Sequence, residues 1–124
     1  PRMPEVVFFR EKDGSVPLLE WMDSLPRSTR TKCRERLALL NRAGRQLRRP
    51  AADYLRDGIH ELRIRRPEGN HRILYFFHGR DVAIVTHGFT KPGASVPRRE
   101  IDRAIQRMWR FQSDPLSYRQ AMED

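Results

Sequence analysis

The densest patterning in the chain lies between Ile59 and Lys91. Ile59 to Arg66 alternates apolar with polar positions, so Leu62 and Ile64 fall on one face and Arg63 and Arg65 on the other. His71 to His78 carries Ile73-Leu74-Tyr75-Phe76-Phe77 at its centre, and Val82 to Thr90 is rich in β-branched residues. Pro67-Glu68-Gly69-Asn70 and Gly79-Arg80-Asp81 separate the three runs with turn residues. Connections this short predict antiparallel neighbours, a β-meander at the centre of the sheet. Arg72 shares its face with Leu74 and Phe76, so the middle strand is expected to be covered on both sides. Near the start, Val6-Val7-Phe8-Phe9 is an unbroken apolar run ending at Asp13-Gly14, the pattern of a strand buried on both faces.

Helical spacing governs the rest. Leu18, Leu19, Met22 and Leu25 recur at helical intervals with Trp21 alongside; Ser15 is placed to cap this helix, Pro17 sits in its first turn, and Pro26 ends it. A second helix is expected from about Arg27 to Ala43, stopping at Gly44, with Cys33, Leu37 and Leu40 as its stripe. Residues 46–58 read as a connection on which Tyr54 and Leu55 dock. A last helix opens at Pro97 with Glu100 in its first turn and Ile101, Ala104, Ile105 and Met108 as its stripe. The order β-α-α-β-β-β-α predicts an α+β fold, a small antiparallel sheet with helices packed on it. One domain is expected over residues 1–112. Residues 113–124 read as a C-terminal tail, frayed or forming one helical turn.

Charge changes this picture more than size does. The 124 residues carry 25 Lys plus Arg against 16 Asp plus Glu, a net charge of +9, just above the usual range for a small domain. Most cations are Arg, the better bidentate partner for phosphate. Nine basic residues and a single acid, Glu35, lie between Arg27 and Arg49. Any one of them reads as a solvated surface cation; together they form an electrostatic footprint for a polyanion. The lone Cys33 excludes an internal disulfide and sits on an apolar stripe, where packing is its expected role. No run approaches the ~18 apolar residues of a membrane span, and the first residues carry no apolar signal region, so cytoplasm is the expectation. Glycine-rich phosphate loops and zinc-ligand spacing are both missing, so neither metal nor organic cofactor is expected.

Several segments, taken in order, resemble a family. They are the first strand with Trp21 after it, Gly58 to Arg63, Arg72-Ile73-Leu74-Tyr75-Phe76-Phe77, His87-Gly88-Phe89-Thr90-Lys91, and Pro97 to Ile105. The chain resembles the RelE/HigB-type toxins of bacterial type II toxin–antitoxin systems, in particular the phage-derived HigB-like branch, over roughly Val6 to Trp109. The resemblance implies an endoribonuclease that cuts mRNA, usually on the ribosome. It also implies neutralisation by a cognate antitoxin, typically a helix-turn-helix DNA-binding protein. The family's last strand often ends in two lysines, whereas Pro92 follows Lys91 here and supplies neither charge nor backbone donor.

Metal-free RNA cleavage needs an acceptor for the 2′ proton, a donor for the leaving 5′ oxygen, and cations around the phosphorane. Arg63, Arg72 and Lys91 match the family's basic positions and are the candidate catalytic cations; Arg65 and Arg66 are candidate RNA-binding residues. For each Arg the bland alternative is a surface cation or an ion pair with Glu61 or Glu68. His87, at a strand end on the parity of Phe89 and Lys91, is a candidate acid or base, against the commoner role of a hydrogen-bonded packing residue. Tyr75 is a candidate donor or stacking residue, against core packing. The competing function classes are a ParE-like toxin that poisons DNA gyrase by binding, and a plain nucleic-acid-binding regulator. Fold alone does not separate them.

Overall fold

In the computed structural model, which describes residues 3–123, six strands form one sheet in which, counted along the chain, the first strand lies between the fifth and the sixth and the second is at the far edge. Pro1, Arg2 and Asp124, at the ends of the expected domain and tail, lie outside the described residues. The chain runs β1 (Glu5–Phe9), α1 (Pro17–Asp23), α2 (Arg27–Ala43), a single 3₁₀ turn (Gly44–Gln46), β2 (Ala52–Arg56), β3 (Ile59–Arg66), β4 (Gly69–His78), β5 (Val82–Thr90), α3 (Arg98–Ser113) and β6 (Arg119–Ala121). The expected α+β class and the central meander are both present. β3, β4 and β5 pair antiparallel, with Arg63 opposite Arg72 and Arg72 opposite Phe89. β1 departs from the antiparallel expectation and pairs parallel with β5.

The sheet buries both faces, and the helices divide them. Val6, Phe8, Leu62, Ile64, Ile73, Tyr75 and Val85 pack under α1 and α2 through Leu18, Met22, Cys33, Leu37 and Leu40. Val7, Phe9, Ile59, Leu74, Phe76 and Ile84 pack under α3 through Ile101, Ala104, Ile105 and Phe111. The unbroken apolar run of β1 is explained: its alternate residues feed two different cores. Cys33 is fully buried, and burial pushes its thiol up to about 11, which suits packing and not nucleophilic attack. Among the described residues no helix is long and apolar enough to cross a membrane.

Three local expectations are corrected. Ser15 does not cap α1; its N–H and hydroxyl both donate to Asp13 Oδ1, at 2.9 and 2.7 Å, and Val16 takes the cap position without a side-chain bond. The connection after α2 contains β2, an edge strand on which Tyr54 is 54% exposed while Leu55 packs against the α3 core. The residues after α3 are neither frayed nor helical but supply β6, which pairs with β1. Gly88 of β5 has a sequence-level reason: a Cβ there would lie 2.2 Å from the Trp21 ring, so only glycine lets α1 lie this close to the strand.

Candidate functional site

α3 covers only part of its face of the sheet. Beyond it, the row Glu61-Arg63-Arg65 on β3 and its neighbour Arg72 on β4 continue the same face. β2 begins at Ala52, opposite Leu62, and the Arg63 N–H still reaches Ala51 O at 2.8 Å. Residues 64–66 therefore have no strand on that side. The gap left at the edge is a cleft of about 300 Å³ lined by Arg36, Pro50, Arg63, Arg65, Asn70 and Arg72. Arg36 reaches it from α2, its Nε donating to Arg63 O at 3.1 Å.

Arg72 is only 4% exposed, so its charge has to be matched. Its Nε donates to Glu61 Oε1 at 3.0 Å and its Nη1 to His71 O at 3.0 Å. Burial draws the guanidinium below its ordinary value, with Glu61 opposing that shift. The second Glu61 oxygen, Oε2, lies 3.8 Å from Arg63 Nε. One buried carboxylate thus sits between two cations that face each other across the β3–β4 register. Arg65 is exposed opposite Asn70. Lys91 follows β5; its backbone N–H donates to Asn70 O at 2.7 Å and its Nζ to Ala94 O at 2.8 Å. Partial desolvation, followed by the charge of Arg72, lowers the Lys91 ammonium from its ordinary value.

The turn that leads into Asn70 is pinned from outside. Glu68 Oε2 accepts from Thr29 Oγ1 of α2 at 2.5 Å and meets His71 Nε2 at 2.9 Å, while His71 Nδ1 meets Thr90 Oγ1 at 2.9 Å. These bonds draw the Glu68 carboxyl down to about 2, the Thr29 hydroxyl first and His71 second. The network ties the start of α2, the β3–β4 turn and the end of β5 into one frame around the cleft.

The structure gathers Arg63, Arg65, Arg72 and Lys91 and leaves the other expected residues elsewhere. Arg66 turns to the opposite face, where its Nε donates to Thr29 Oγ1 and its Nη2 to Ser28 Oγ. Tyr75 also lies on that face, 1% exposed beneath α2, and burial raises its phenol above the ordinary value. Parity along β4 is the reason: Arg72 and Tyr75 are an odd number of residues apart, so one strand cannot present both to one side. His87 is on the α3 face but 4% exposed under that helix. Its Nε2 meets Glu100 Oε1 at 3.0 Å and its Nδ1 meets Thr86 Oγ1 at 3.0 Å. Burial, then the charge of Arg107, holds the imidazole below its ordinary value against the pull of Glu100. A neutral ring with its proton on Nε2 donates to Glu100 Oε1, while the Thr86 hydroxyl donates to Leu74 O. Glu61, in the sequence an ion-pair partner for the arginines, belongs to the cluster itself. Its signal was present, an acid in the same alternating row as Arg63 and Arg65.

A family model described as "Phage derived protein Gp49-like (DUF891)" matches residues 20–109, a span that contains every residue of this cluster. No curated protein matches the chain.

Proposed function

The chain belongs to the phage-derived Gp49-like family, which is associated with RelE/HigB-like toxins of toxin–antitoxin systems, and from that premise we propose that it is an mRNA-cleaving endoribonuclease. The toxin kind of function implies a cognate antitoxin. In this reading the antitoxin is a helix-turn-helix DNA-binding protein, and the target is mRNA on the ribosome in the cytoplasm. The observation that carries the reading is a solvent-open cleft lined by Arg36, Arg63, Arg65 and Arg72, with Arg63 and Arg72 on either side of the buried Glu61 carboxylate and Lys91 near enough to feel their charges.

The reaction uses the RNA's own 2′-hydroxyl on the neighbouring phosphorus. Glu61 Oε2, the oxygen that Arg72 leaves free, accepts the 2′ proton as the O–P bond forms. Arg63 and Arg72 sit on either side of that carboxylate and stabilise the charge that builds on the non-bridging oxygens, in a partly desolvated setting where fixed cations act most strongly. Lys91, with its lowered ammonium, donates a proton to the departing 5′ oxygen. The products are a 2′,3′-cyclic phosphate and a 5′-hydroxyl. Arg65, the exposed cation of the row, binds a flanking phosphate. Tyr75, Arg66 and His87 take no part: two lie on the other face and the third is sealed under α3.

The test is induction of the chain alone in cells, with new RNA 5′ ends mapped within minutes. Cuts inside translated frames are expected, and they should disappear in Lys91→Ala and in Arg63→Ala, both on partly exposed residues whose folding is checked by circular dichroism. Growth arrest with intact mRNA and broken DNA would replace the nuclease by a gyrase poison. Growth without arrest would leave a nucleic-acid-binding regulator.

A further inference from the structure

The opposite face of the sheet holds a second concavity, of about 520 Å³, between the 3₁₀ turn after α2 and strands β2 to β4. Its walls are aromatic. The His60 ring stacks on Tyr75 at 5.2 Å and 20°, and receives Tyr54 and Phe77 edgewise at 5.0 and 5.2 Å. Arg45 lies 4.3 Å over the Phe77 ring, fixed there by bonds to Gly79 O and Arg80 O. Arg48 and Arg49 also line it. Arg49 is tied to Asp53, which neutralises the carboxylate at the rim, whereas Arg48 bonds to Arg45 O and Leu47 O through a single nitrogen, Nη1. Burial and the charges of Arg45 and Arg48 hold His60 below its ordinary value, so the ring presents one donor and one acceptor.

None of these groups serves the reaction described above; the Tyr54 hydroxyl accepts from Gly58 N–H at 3.0 Å, which fixes the ring at the rim and leaves it more than half exposed over the concavity. The combination is that of a single-stranded nucleic-acid subsite: a π-face that stacks any base, an imidazole that can bond to a base edge, and a guanidinium for the phosphate. Position adds to this. Pro50 lines the cleft at Arg63, while Arg49 and Ala52 line the aromatic pocket, so one short turn at the β2 edge separates the two.

We propose that this aromatic pocket takes one unstacked nucleobase of the RNA strand whose phosphodiester lies in the Arg63–Arg72 cleft, stacked on Tyr54 with its edge on His60 and its phosphate on Arg48. The assignment rests on the nuclease reading. The strand passes around the β2 edge, from the cationic face to the aromatic one, and the base so held sets the reading position relative to the cut.

The experiment uses the full chain and a fluorescein-labelled, fully 2′-O-methylated single-stranded oligonucleotide, which has no nucleophile and cannot be cut. Affinity is measured by anisotropy, and a 5-iodouracil version is photocrosslinked. Tyr54→Ala, an exposed change that leaves the core intact, is expected to weaken binding ~10-fold, with Tyr54→Phe close to wild type and crosslinks on Tyr54 or His60. Arg48→Ala is expected to weaken binding and to flatten its salt dependence. Wild-type affinity in Tyr54→Ala, with crosslinks elsewhere, overturns the pocket assignment while the cleft's dependence on Arg63 leaves the nuclease reading standing. If the wild-type chain neither binds nor cuts RNA, both fall. Binding of a free mononucleotide without any oligonucleotide contact overturns the proposal, as does loss of antitoxin affinity in Tyr54→Ala with RNA affinity unchanged.

Discussion

Glu61 is a carboxylate buried to 5% exposure between two arginines, and its removal should be felt twice. Glu61→Gln keeps the shape but deletes the charge that balances Arg72, and breaking a buried pair this way costs about 3 kcal/mol, read by urea unfolding. Where the protein still folds, cleavage should drop on the order of 10²–10⁴-fold, read as new RNA 5′ ends. An activity close to wild type would move the proton acceptor elsewhere. His87 makes the opposite kind of prediction. Its folded-state value lies below the ordinary 6.5, so below that pH the unfolded chain binds the proton more readily than the folded one. Stability therefore falls as pH drops below about 6.5. His87→Gln should flatten that slope, measured by unfolding at stepped pH, and leave cleavage nearly unchanged.

At the scale of elements, α1 stands on the sheet through Trp21 over Gly88, and Gly88→Ala drives a methyl into that ring. A loss of about 1–3 kcal/mol is expected, seen as a lowered Tm and a shifted Trp fluorescence maximum. A Tm unchanged by Gly88→Ala would mean that α1 can shift at little cost. The same scale shows what the sequence could disclose. β3, α2 and α3 announce themselves by a period set by one buried face, and β4 and β5 by long apolar and β-branched runs buried on both. β2 and β6 do not: one is an edge strand with Asp53 and Arg56 in it, the other three residues with Arg119 and Gln120, and neither has enough apolar alternation to stand out. The site divides along similar lines. Arg63 and Arg65 follow from parity within one strand, and Arg72 from the pairing of two. The failure of Tyr75 to join them also follows from parity. The burial of His87 depends instead on where α3 ends up, which is a tertiary fact that no spacing along β5 encodes.

For the molecule as a whole, charge sets how RNA is approached. A net charge of +9 makes affinity fall with salt, with log K dropping by about 0.7 per log unit of salt for each single-strand phosphate neutralised. Replacing Arg63 and Arg65 together should reduce that slope by about 1.4, measured by titrating a single-stranded RNA at several salt concentrations; an unchanged slope would place the contacts elsewhere. The sheet order has a different consequence, one in time. β1 is made before every other strand of the sheet, yet the two strands that flank it, β5 and β6, are the last two. The meander can assemble from near neighbours, but β1 has to wait, an unsheltered run of Val and Phe with no partner at either edge. Its late docking is expected to slow folding through long-range loop closure. During synthesis this adhesive strand stays uncovered until β5 and β6 have followed it.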